Sequence, residues 1–129
     1  MFEKLEIFKM AFGLASHSAG RQTAIARNVA HADTPGYRAT DIASFSDTYE
    51  SDNTSFQMRT TRARHSDKPL AGTSSFKLFE TNDPISPNGN SVSLETEMVK
   101  ASETRHQHEL ALSIYSSSLN ILRTSLGRR

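Results

Sequence analysis

The chain has 129 residues, with 15 Lys and Arg against 14 Asp and Glu and a formal net charge of +1. That length holds a single domain, 1–129, and the near-neutral balance excludes the basic excess of a dedicated nucleic-acid binder. Absence of Cys excludes disulfides, thiolate catalysis and Cys-based zinc sites.

Leu, Ile, Val and Phe supply only 26 of the 129 residues, so the core is thin and partners are needed to bury the remaining apolar surface. No stretch approaches the ~20 apolar residues of a membrane span. Met1 to Met10 carry four charges and no unbroken apolar run, so no secretory signal is expected there. Any exit from the cytoplasm would use a route without a cleaved signal.

Residues 3–32 contain no Pro, and Leu5, Phe8, Phe12, Ala15, Ala19, Gln22, Ala26 and Val29 recur in steps of three and four. That is the heptad seam of a paired helix. Over residues 2–15 the apolar set widens to include Phe2, Ile7, Met10, Ala11 and Leu14, more than one partner helix covers. Thr34 precedes Pro35 and is pushed out of the α region, so this helix should end near Ala32 or Asp33. Pro35-Gly36 suits the centre of a type II turn, with Gly supplying the positive φ. Asn28, His31 and Asp33 offer polar groups for the orphan groups at the helix end, and Tyr37 can fold its ring back on the helix.

Residues 40–91 contain 16 Ser or Thr and are punctuated by Pro69, Pro84, Pro87, Gly72 and Gly89. They read as an exposed, irregular insert. Two alternating runs, Ser55–Arg59 and Ser75–Phe79, suggest the arms of a small hairpin or extended segments. The C-terminal part returns to helical spacing through Met98, Ala101, Arg105, His108, Leu112, Tyr115, Leu119, Leu122 and Leu126. Ser93 is its expected N-cap, with Glu95 and Glu97 favoured by the dipole in the first turn. At 1.5 Å per residue both helices are rods of about 45–50 Å, and antiparallel or staggered pairing is easy. The fold class is therefore mainly α. Long N- and C-terminal helices (1–33 and 92–129) pair as a coiled-coil-like layer around an irregular or short-β middle (34–91).

Little in the chain points to catalysis. Glu103-Thr-Arg-His106, with His108 nearby, has half of a di-iron spacing, but no second Glu-x-x-His exists. A solvated or interfacial helix face explains it better, and no metal or cofactor is expected. The basic run Arg59, Arg62, Arg64, His65 and Lys68 is diluted by acids and suits surface solvation, or an acidic neighbour, better than nucleic acid. Phosphate-loop and nucleophile-elbow motifs are missing, and no enzyme is expected. The polar seam residues Gln22, Arg105 and His108 fit either local exposure or control of register in a helical assembly.

The most specific stretch is Asn28-Val-Ala30-His-Ala-Asp33-Thr34-Pro35-Gly36-Tyr37-Arg38. It resembles the Asn-x-Ala-Asn-x-x-Thr-Pro-Gly-Tyr signature of the flagellar rod and hook protein family, with His31 where the signature has its second Asn. The resemblance continues at Arg21-Gln22, Asp41, Arg64-His65, Pro87–Val92 and Leu94–Met98, and the length suits its short proximal-rod members. It implies a non-enzymatic axial subunit whose terminal helices pack helically around the basal body's channel. Export would be by the flagellar type III route, without cleavage. Implied partners are further copies, other rod proteins, the membrane ring and the export gate, with neither nucleic acid nor a membrane span. Leu5, Phe8, Phe12, Leu112, Tyr115, Leu119 and Leu122 are the expected helix-packing and assembly positions. The rival reading is a cytoplasmic two-helix adaptor that grips one partner through its apolar stripes.

Overall fold

The computed structural model describes residues 2–53 and 76–127, and of these the side chains of residues 2–5 and 50–53 are not described. The run Ser55–Arg59 and the basic cluster Arg59–Lys68 lie outside the described residues, as does the Leu5 side chain.

Two long helices dominate: α1 (Phe2–Ala30) and α3 (Leu94–Ser125). Between them come β1 (Thr40–Ile42), α2 (Phe45–Asn53) and β2 (Leu78–Glu80). Phe8 packs edge-on against Tyr115 and Asn28 bonds to Glu97. As the residue number rises along α1, the partner number falls along α3, so the helices are antiparallel.

α1 stops at Ala30, two or three residues before the expected end, because its last turn tightens. The His31 amide reaches both Arg27 O and Asn28 O, and Ala32 N bonds to Val29 O. Shorter i→i+3 bonds of this kind commonly close a helix. Ser93 occupies the N-cap of α3 as expected, but its side chain makes no capping bond.

The contact seam differs from the one that apolar spacing predicts. On α1 the buried positions are Ala11, Ser18 and Ile25, with Asn28 beyond them; on α3 they are Glu97, Thr104 and Ala111. Both sets step by seven, one residue before the apolar sets Phe12, Ala19, Ala26 and Met98, Arg105, Leu112. Those six are exposed. Small side chains let the helices approach closely, and the buried hydroxyls stay satisfied by bonding back along their own helices, Ser18 to Leu14 O and Thr104 to Lys100 O. The large apolar residues are thereby turned outward.

The middle segment is more regular than its composition suggests. β1 and β2 form an antiparallel pair in the register Thr40↔Glu80, Asp41↔Phe79, Ile42↔Leu78. The strand near Ser75–Phe79 is thus present, but it pairs with Thr40–Ile42. α2 is a helix that the Ser/Thr-rich reading missed. Its start is marked by Ser44, whose carbonyl accepts from Thr48 N and whose hydroxyl accepts from Asp47 N. This small layer lies on one side of α1. Phe45 sits over Gly13, Phe76 and Ile42 sit over Gly20, and both rings flank the buried His17 edge-on. His17 Nε2 lies 2.7 Å from Ala43 O, tying the end of β1 to the helix.

Candidate functional site: the helix-exit turn and its polar lock

After α1 the chain reverses through Thr34-Pro35-Gly36-Tyr37. The Tyr37 amide donates to Thr34 O at 3.3 Å, and Gly36 has φ 72°, the left-handed conformation expected of the third turn residue. A second turn docks on the first. The Gly36 amide donates to Asn88 O at 3.1 Å, and Gly89, with φ 82°, lies against Gly36: a Cβ built on Gly89 would come 3.3 Å from Gly36 Cα.

Asn90 holds the two turns together. Its amide nitrogen lies 2.9, 2.7 and 2.9 Å from the carbonyls of His31, Ala32 and Thr34. Two N–H groups thus serve three carbonyls, the ones that a helix ending at Ala30 leaves without intrahelical partners. Its side-chain oxygen accepts from Val92 N at 2.7 Å, closing an Asx turn that leads towards α3. Next to it, buried Ser91 accepts from Ala39 N through its hydroxyl and donates its own amide to Tyr37 O.

Asn28 is the hub on the α1 side. Its amide nitrogen donates to Thr40 O at 2.8 Å and to Glu97 at 3.0 Å. Its oxygen accepts from Thr40 N at 3.0 Å and from the Tyr37 hydroxyl at 3.3 Å. One side chain therefore joins α1, the exit turn, β1 and α3. Glu97, fully buried, also accepts from Lys100 at 2.9 Å, and Lys100 lies 3.7 Å from Asp83. Burial pushes the Lys100 ammonium down, but the bond to Glu97 and the charges of Glu97, Asp83 and Asp41 outweigh it and hold the group above its ordinary value.

One turn earlier on α1, Arg21 makes a two-pronged ion pair with Asp41 of β1, both bonds at 2.9 Å. Burial pushes the Asp41 carboxyl up. The Arg21 bond, the Ile42 amide at 2.7 Å, and the charges of Arg21 and Lys100 overcome that and leave it below the usual carboxylate range. Arg21 is raised in turn, chiefly by its bond to Asp41.

Of the motif residues, the structure brings Asn28, Gly36 and Tyr37 into direct contact with the lock. The Tyr37 ring stacks on His31 at 4.6 Å, and His31 Nδ1 lies 2.8 Å from Arg27 O. Ala30, Asp33, Thr34 and Pro35 are exposed, although Thr34 contributes its carbonyl. Asp33 makes no hydrogen bond among the described residues, so the carbonyl cap comes from Asn90. The packing positions divide. Phe8, Leu119 and Leu122 are half-buried, whereas Phe12, Leu112 and Tyr115 are exposed.

Glu97, Asn90, Ser91 and Lys100 were not among the expected site residues. Asn90 and Ser91 lie in a Gly/Asn-rich turn that marks a reversal but not its long-range bonds. Glu97 reads as an ordinary first-turn acid until its burial is seen. Glu103 and His106 are exposed on α3, and no cluster of three or more His, Asp or Glu suited to a metal occurs among the described residues.

The arrangement offers a fixed corner between two long helices and a set of outward apolar faces, the equipment of a structural packing element. No protein-family model matches the chain. Over 118 residues, 89% of this chain and 88% of the relative, it is 28% identical to the flagellar basal body rod protein FlgB of Agrobacterium fabrum. Among the described residues no helix is long and apolar enough to cross a membrane.

Proposed function

We propose that this protein is a non-enzymatic structural subunit of the proximal rod of a bacterial flagellar basal body. In this reading α1 and α3 form the packing layer of the rod wall, and the Thr34–Tyr37 corner fixes how the chain leaves that layer. Partners are further copies of the chain and other rod proteins, with the membrane ring and export gate at the rod's base.

The observation that carries the reading is where the rod-type motif falls. Asn28, Gly36 and Tyr37 converge on the most heavily hydrogen-bonded point of the molecule, and similarity to a rod protein extends over nearly the whole chain rather than over this turn alone. The outward apolar side chains on both helices supply the surface that a helical assembly requires.

Deletion of the coding sequence in the native host tests this. The reading expects loss of swimming and of assembled hook–basal bodies, with both restored by the wild-type chain. Normal basal bodies in the deletion strain would refute it.

A further inference from the structure

The exposed apolar residues of α3 fall into two separate stripes. Leu94, Met98, Leu112 and Leu126 lie along one side, in steps of four or multiples of seven. Val99, Leu110, Ile114 and Ile121 lie along the other, with Glu103 completing their spacing. At 3.6 residues per turn, Leu112 and Ile114 project about 200° apart around the helix. The seam with α1, through Glu97, Thr104 and Ala111, passes between them. α1 extends the first stripe with exposed Phe12, Ala19 and Ala26, which stand next to the same seam.

The two stripes differ in charge. The first is accompanied by Arg105 and Arg123, with Arg105 already bonded to Glu109. The second is accompanied by Glu95 and Glu103, which have no ion-pair partner among the described residues. Lys100 is the cation nearest them in sequence, and it is engaged by Glu97 and Asp83. Pairing either stripe with its own kind brings like charges together, whereas first against second brings Arg123 and the Glu side chains into complementary positions.

From this complementarity we infer that the occupant of each stripe is a second copy of this chain. The Arg-flanked stripe of one copy docks on the Glu-flanked stripe of the next. Because the two surfaces are different, the contact is heterologous and continues from copy to copy instead of closing as a two-fold dimer. The inference rests on the rod-subunit reading for its setting and adds the faces and the polarity of the contact.

The natural absence of Cys makes the test clean. Leu112→Cys is combined in turn with Leu110→Cys, Ile114→Cys and Ile121→Cys, and basal bodies from cells carrying each variant are treated with a thiol cross-linker of about 10 Å, one helix diameter. The inference expects a ladder of trimers and higher species from at least one double variant, and none from any single variant. Dimers from Leu112→Cys alone would overturn it in favour of a two-fold contact. Incorporation without any cross-link would also overturn it, and would leave the rod reading intact.

A charge test serves where Cys blocks incorporation. Glu103→Arg is expected to lower recovery of the chain in basal bodies about tenfold, and Arg123→Glu in the same chain to restore most of it. Failure to restore would overturn the pairing of the two stripes. Absence of even the wild-type chain from basal bodies would instead sink the rod reading.

Discussion

Replacing Asn90 with Ala is the sharpest perturbation of the lock. Asn90 is 2% exposed, and its amide nitrogen serves three carbonyls while its oxygen holds the Val92 amide. Truncation removes two donors and one acceptor at once. At a net ~0.5–1.5 kcal/mol per hydrogen bond, with more where a buried partner is left unmet, the loss sums to about 2–4 kcal/mol. Exposed helix-end carbonyls can recover water, which favours the lower end. The assay is urea unfolding followed by helical circular dichroism, with Asn88→Ala as control. Asn88 is exposed, and its side chain makes one local bond to Asn90 N, so its loss should stay below about 1 kcal/mol. Equal losses for the two variants, or less than about 0.5 kcal/mol for Asn90→Ala, would refute the assignment of Asn90 as the clamp.

Other outcomes follow from the same geometry. Gly36→Val places a β-branched residue at φ 72° and should cost about 1–3 kcal/mol. A Cβ at Gly36 meets nothing within 4 Å, so Gly36→Asn should recover most of that loss; an Asn variant as unstable as Val would show that space, not φ, is limiting. Asp41 is held below the ordinary carboxylate range, so the stability it contributes is fully present above about pH 4 and is lost as pH falls through its lower folded value. Asp41→Asn should therefore flatten the acid limb of the stability–pH curve, and an unchanged limb in acid titrations would contradict this. Phe12→Ser combined with Leu112→Ser should leave urea stability within about 1 kcal/mol, because both side chains are more than half exposed, yet should reduce incorporation into basal bodies. Normal incorporation would remove these positions from the packing surface. At micromolar concentration the isolated chain should sediment as a monomer, and stable oligomers by analytical ultracentrifugation would show that no assembly template is needed.

Periodicity and punctuation carried much of the architecture. Both long helices, the turn after Asp33 and the positive φ at Gly36 are legible because Pro, Gly and heptad spacing act locally. The contact seam was not legible from apolar spacing alone. Apolar side chains mark where a helix could pack, but here Ser18, Asn28, Glu97 and Thr104 are inside because their polar groups find partners. The bulkier Phe12, Met98 and Leu112 stand one position away, facing out.

Long-range polar bonds were equally hidden. Asn90 caps carbonyls 56 to 59 residues upstream, and nothing in a Pro-Asn-Gly-Asn turn announces that reach. α2 shows a different gap. Ser44 with Asp47 is a usable helix-start signal, but Ser/Thr enrichment across residues 40–91 outweighed it, since such composition more often accompanies irregular chain.

The central claim is that the chain is an axial component of the basal body. Mass spectrometry of purified hook–basal bodies, stripped of filaments and taken from the native host, tests it most directly. The account predicts recovery of this chain in a fixed ratio to the other rod proteins, retained through washes that remove peripheral material. Its absence from those particles, with the protein recovered instead from the cytoplasm of flagellated cells in a defined low-order complex, would contradict the account.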